Sequence, residues 1–159
     1  SGKVLIDDID INCNIKDYQN GIDYLPQNGF LLDDTIEKNI ALADDIINQD
    51  RLMKAVDFAQ LQYLIDKNFD GIKTIIGEKG NKISGGEKQK ILLARSFYLD
   101  KKIIILDEPT SSLDFNYEKQ PNNILKNFSK QKTIIIISHK KEILKLCSKV
   151  YNFKNNSIL

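Results

Sequence analysis

Apolar residues follow three rhythms along this chain. Ile103-Ile104-Ile105-Leu106 and Ile134-Ile135-Ile136-Ile137 are aliphatic at every position. Short runs of that kind predict strands covered on both faces, as central strands of a parallel sheet are. Val4 to Ile11 predicts a strand with a turn or bend at Asp7-Asp8, and Ile22 to Leu25 a short strand that stops at Pro26. Between Phe30 and Lys82 apolar positions recur three and four apart, the period of a helix. Helices are expected at Thr35 to Ile40 and at Asp50 to Asp66, the latter carried by Leu52, Val56, Ala59, Leu61, Leu64 and Ile65, with Asp50 as its N-cap.

Ser84-Gly85-Gly86 is expected to open a further helix running to about Tyr98. The first aliphatic strand, a crossover over Asn116 to Lys130 and the second aliphatic strand then make a right-handed βαβ unit. Lys140 to Ser148 reads as a helix, and Val150 to Phe153 with Ser157 to Leu159 as a hairpin about Asn155-Asn156. The chain is therefore expected to be α/β, with a parallel sheet core and a helical subdomain inserted into it. No internal repeat or low-complexity linker interrupts it.

Composition narrows this picture. A chain of 159 residues suits one domain with a real core. The net charge of +1 implies no broad attraction to nucleic acid, and only Arg51 and Arg95 are arginines. Cys13 and Cys147 form no Cys-x-x-Cys, so reduced thiols in a cytosolic compartment are expected. No apolar run approaches the roughly 20 residues that span a bilayer, and no signal peptide pattern is present. Membrane association is expected to come from another domain or subunit.

Chemistry concentrates at two places. Asp107 and Glu108 end the first aliphatic strand, and parallel strands deliver their last residues to the edge where ligands bind. Alternation lets one carboxylate face a metal and the next a reacting water. Ser84-Gly85-Gly86-Glu87 starts a helix whose unpaired N–H groups and dipole suit an anion. Gln27 follows Leu25-Pro26, and His139, the sole histidine, ends the second aliphatic strand.

Together these motifs resemble ABC-type ATPases over nearly the whole chain, Ser1 to Leu159. Ile83-Ser84-Gly85-Gly86-Glu87-Lys88-Gln89 resembles the signature loop. Ile103 to Glu108, then Pro109-Thr110-Ser111-Ser112-Leu113-Asp114, resembles the Walker B strand and D-loop. Leu25-Pro26-Gln27 is similar to the Q-loop, and Ser138-His139-Lys140 to the H-loop. Thr74 to Gly80 resembles the segment that meets the membrane domain in exporters. Glu87 stands for the more usual Gln, Ile83 for Leu and Asn156 for Gly, and Pro121 interrupts an expected helix.

The resemblance implies a P-loop NTPase fold. Residues 1–29 and 84–159 would form part of a RecA-like core, and residues 30–83 a helical subdomain. It implies ATP and Mg²⁺ as cofactors, with catalytic roles for Glu108, His139 and Gln27. Asp107 and Gln27 would hold the metal, and Ser84, Gly85, Gly86, Glu87 and Asp114 the nucleotide. The implied partners are a second nucleotide-binding domain, paired head to tail, and transmembrane domains at the cytoplasmic face of the inner or plasma membrane. No nucleic acid is expected.

One part is absent. A P-loop needs Gly-x-x-x-x-Gly-Lys-Ser/Thr, and neither Ser1-Gly2-Lys3-Val4 nor Gly77 to Lys82 supplies it. The segment is thus expected to be the C-terminal part of an exporter ATPase domain, lacking the P-loop strand and inactive alone. The rival expectations are a soluble ABC-type ATPase and a non-catalytic partner module.

Overall fold

Turn residues explain how the chain begins. The computed structural model describes residues 2–13, 15–42, 44–109, 132–145, 147–154 and 157–158. Asp7 and Asp8 both adopt positive φ, 50° and 63°. That is the backbone of a two-residue hairpin turn. The expected single strand is therefore an antiparallel pair, β1 (Leu5–Ile6) and β2 (Ile9–Asp10). A short helix, α1 (Ile15–Gly21), follows. It has no clear apolar stripe and was not expected.

The sheet that carries the site has three parallel strands among the described residues. β3 (Ile22–Leu25), β4 (Ile103–Asp107) and β5 (Thr133–Ile137) lie in that order. Ile22 pairs with Ile103, and Ile103 with Thr133, so all three strands run to the same edge in register. The chain's last described pair, β6 (Phe153–Lys154) with β7 (Ser157–Ile158), forms the expected hairpin.

Between β3 and β4 lie four α-helices among the described residues. α2 (Ile36–Ile40) is capped by Thr35, whose hydroxyl accepts from the Lys38 N–H. α3 (Gln49–Phe58) is capped by Asn48, not Asp50, its side-chain oxygen accepting from Arg51 N at 3.0 Å. The helix expected to run to Asp66 breaks at Gln60, where φ is +53°, and restarts as α4 (Gln62–Asp66). The break leaves Leu52, Val56, Leu61 and Leu64 all buried, so apolar spacing alone does not reveal it. α5 (Gly85–Leu99) matches the expected signature helix.

One apolar cluster joins these parts. Leu52, Val56 and Ile76 of the inserted segment pack with Ile91, Leu92 and Tyr98 of α5 and with Leu25, Ile104 and Leu106 of the sheet. Phe58 stacks on Phe97 with ring centroids 4.4 Å apart. Tyr98 is fully buried; its hydroxyl donates to Asp44 Oδ2 at 2.6 Å and accepts from Asn48 N at 3.0 Å, tying α5 to the cap of α3.

Among the described residues the two aliphatic strands are covered unequally on their two faces. Ile104 and Leu106 are buried, whereas Ile135 and Ile137 are about half exposed, as is Tyr24 on the same side of the sheet. α5 and the inserted segment pack on the face that bears Ile104 and Leu106. Among the described residues β4 is central, with a strand on each side, and β5 has one neighbour.

Candidate functional site

Two separate constructions make up the site. The first is the turn at the start of α5. Ser84 has extended dihedrals, φ −69° and ψ 161°, as an N-cap requires. Glu87 N donates to Ser84 Oγ at 3.3 Å, while Ser84 N and Ser84 Oγ donate to Glu87 Oε2 at 2.8 and 2.9 Å. This is a complete capping box, of the kind worth about 0.5–2 kcal/mol of helix stability. The other Glu87 oxygen, Oε1, is 2.5 Å from Lys67 Nζ at the end of α4. Partial burial pushes the Glu87 carboxyl up, but the bonds from Lys67 and Ser84 outweigh it and hold the group below the usual carboxylate range.

The second construction is the carboxyl edge of the sheet. Asp107, the last residue of β4, accepts a hydrogen bond on Oδ2 from Tyr24 Oη of β3 at 2.8 Å. That bond, reinforced by desolvation and the negative charge of Asp107, raises the Tyr24 phenol above its ordinary value. Glu108 N continues the ladder by donating to Ile137 O at 2.9 Å. Its φ is then +45°, a left-handed conformation costing a residue with a side chain about 1–2 kcal/mol. The turn swings the Glu108 carboxylate across the end of β5. There Oε1 accepts from His139 N at 3.2 Å, and Oε2 lies 3.5 Å from Ser138 Oγ. His139 Nε2 stands 3.6 Å from Oε1, beyond hydrogen-bond length, on a side chain that is 99% exposed.

The sheet edge thus brings Asp107, Glu108, Ser138 and His139 together. Gln27 is exposed in the turn after β3. The register sets Leu25 beside Leu106, so Gln27 leaves β3 as Glu108 leaves β4, two residues on. Asp114 lies outside the described residues. Gly85 and Gly86 form the first turn of α5. Gly29, just past Gln27, lies against Leu92: a Cβ there would be 2.4 Å from Leu92 Cδ1. Leu92 is eight residues into the helix from Ser84, so the signature turn lies about 12 Å along the helix from that contact at 1.5 Å per residue.

Sequence reasoning missed three contributors. Tyr24 left a faint signal, a phenol in an otherwise aliphatic strand. Lys67 left none. Arg95 was noted only as one of two arginines. It donates from Nε to Asn39 O at 2.7 Å and from Nη1 to Phe30 O at 2.9 Å, binding α5 to the segment that follows Gln27. Asn39, fully buried, in turn accepts from Leu32 N at 2.8 Å.

The donor set is one of hard oxygens. Among the described residues no three His, Cys, Asp or Glu side chains gather as a self-sufficient metal site. Magnesium does not need one, since it is commonly held by one or two carboxylates plus substrate phosphates. Asp107, fixed at the sheet edge, fits that pattern. No helix among the described residues is long and apolar enough to cross a membrane.

Comparison with known proteins shows the family and the fold. Residues 1–111 match the family model described as ABC transporter. The chain is 38% identical over 141 residues to the heavy metal tolerance protein of Schizosaccharomyces pombe, covering 88% of this chain and 17% of that protein. It is 33% identical over 159 residues to an ATP-dependent lipid A-core flippase of Desulfotalea psychrophila, 99% of this chain and 28% of that one. A solved bacterial Atm1-family ABC exporter with ATP bound superposes with a TM-score of 0.83 at 30% identity, over 91% of this chain and 25% of that one. The chain therefore spans only about a sixth to somewhat over a quarter of these relatives' length.

Proposed function

This chain belongs to the ABC transporter family as part of its ATP-binding domain, and from that premise we propose that its residues hydrolyse ATP within a larger exporter. Glu108 is the general base. It takes a proton from the attacking water as the water oxygen bonds to the γ-phosphorus and the bond to ADP breaks. His139 meets the γ-phosphate. Asp107, with Gln27, holds magnesium, which when bound neutralises charge on the phosphates. Ser84, Gly85 and Gly86, with Glu87 behind them, meet the nucleotide of a second ATP-binding domain across a head-to-tail interface, and Asp114 is a further proposed nucleotide contact. Such positioning and charge stabilisation account for most of phosphoryl-transfer catalysis. The turn at Glu78 is the proposed contact with transmembrane domains, placing the segment at the cytoplasmic face of a membrane.

The observation that carries this reading is the left-handed turn at Glu108. A residue held in a costly conformation at a ligand-binding edge points to function. The turn gives the carboxylate two fixed neighbours, His139 N and Ser138 Oγ. Ser84 bonds to Glu87, and Glu108 to the His139 segment, and this separation of the two constructions supports the use of Ser84 by a partner rather than by its own carboxylates. Residues 1–159 contain no Gly-x-x-x-x-Gly-Lys-Ser/Thr pattern to cradle the phosphates, so the segment alone is proposed to be inactive.

The test is Glu108→Gln in the full-length gene product. Gln keeps an oxygen for His139 N but cannot accept the proton. Phosphate release should fall roughly 10²- to 10⁴-fold while ATP remains bound. Full turnover would remove Glu108 from the mechanism. Retained hydrolysis without coupled transport in the wild-type protein would favour the soluble ATPase instead.

A further inference from the structure

The signature turn presents a contradiction in charge. The first N–H groups of α5 and its dipole attract an anion. Yet the chain places its own anion among them, since Glu87 Oε2 already takes the Ser84 N–H and hydroxyl. An incoming phosphate meets a carboxylate where the family more usually carries a neutral amide. The compensating charge comes from outside the motif. Lys67, twenty residues upstream at the end of α4, holds Glu87 Oε1 at 2.5 Å. Its ammonium also lies 5.7 Å from the Tyr63 ring centroid, a second attraction that limits where it can go.

We propose that Lys67 is a positioning residue for nucleotide capture, pinning the Glu87 carboxylate to the Ser84 side of the turn and cancelling the charge that would repel the phosphate. This rests on the reading that Ser84, Gly85 and Gly86 meet the nucleotide. Glu87 and Lys67 are then one unit. The carboxylate supplies the capping box and the ammonium makes the cap compatible with an anionic ligand. The lowered titration of Glu87 agrees, since the carboxylate stays charged through neutral pH and needs a counter-charge throughout.

A purely structural tie between α4 and α5 would also use this ion pair, and the two cases separate by rescue. The experiment uses the full-length gene product carrying Glu108→Gln, which retains nucleotide, and titrates magnesium-ATP against dimer formation. Lys67→Ala should raise the half-saturating concentration roughly 3- to 5-fold at low salt, as a partly exposed ion pair allows, and less at high salt. Adding Glu87→Gln to Lys67→Ala should restore the parent value, because the unpaired charge is gone. Lys67→Arg should titrate like the parent. An unchanged Lys67→Ala, or a defect that Glu87→Gln does not relieve, overturns the proposal. Ser84→Ala separates this from failure of the underlying reading, with its melting temperature checking that α5 stays folded. If Ser84→Ala is silent, the turn does not meet the nucleotide and both ideas fall. If Ser84→Ala weakens assembly and Lys67→Ala does not, only the role of Lys67 falls.

Discussion

Replacing Tyr24 with Phe tests whether the sheet edge orients Asp107 before any ligand arrives. The substitution removes one hydroxyl and keeps the ring. The lost interaction is specific, a 2.8 Å bond from Tyr24 Oη to Asp107 Oδ2 between neighbouring strands. It fixes one carboxylate oxygen and leaves Oδ1 to face a metal. Outer partners of metal-binding groups are commonly worth about 10- to 100-fold in metal affinity. Tyr24 is 53% exposed, so water replaces part of what the phenol provides, and the effect belongs at the low end. The free magnesium needed for half-maximal hydrolysis by the full-length gene product should rise about tenfold or somewhat less. The maximal rate at saturating magnesium should change little, because Glu108 keeps its bonds to the His139 segment. The assay is phosphate release across a magnesium series at fixed ATP, alongside thermal melting. An unchanged magnesium requirement would refute this account of Asp107. So would a large fall in melting temperature with no change in the magnesium curve, which would make Tyr24 a fold residue.

Two further outcomes follow from the same contacts. Tyr98→Phe leaves the Asn48 N–H and Asp44 without their buried partner, so chemical denaturation should show a loss of about 1–2 kcal/mol. The Glu87 carboxyl titrates lower in the folded state than in the unfolded one, so its contribution is complete above its ordinary range and is lost as pH falls through the lowered value. The stability difference between the parent and Glu87→Gln should therefore shrink between about pH 5 and pH 3, and a difference that stays constant would contradict the ion pair.

Where chemistry and periodicity coincided, the chain was easy to interpret. The Ser84–Glu87 spacing specifies both ends of a capping box, and the aliphatic runs mark β4 and β5 to within one residue. Local exceptions were hidden. Gln60 turns left-handed inside an unbroken apolar rhythm, and Asn48 rather than Asp50 caps α3 because capping depends on dihedrals that spacing does not encode. Site contacts bridging long separations were hidden too. Tyr24 and Asp107 are 83 residues apart, and only the register of β3 on β4 joins them. The half-exposed Ile135 and Ile137 mark a limit of another kind, since side-chain chemistry calls for cover without saying which element supplies it.

Gly29 and Arg95 together turn α5 into a lever. Leu92 lies against Gly29, and Arg95, one turn further on, grips the carbonyls of Phe30 and Asn39. Those contacts fix a fulcrum beside the turn that bears Gln27. The arm from Leu92 to Ser84 is about 12 Å long, so a tilt of about 10° at the fulcrum sweeps Ser84 through about 2 Å. That travel is enough to make or break a hydrogen bond. Because Lys67 holds Glu87 and Lys90 reaches the Gln60 carbonyl along that arm, such a tilt carries α4 and the end of α3 with it, so the helical segment moves with the tip of α5 as one body.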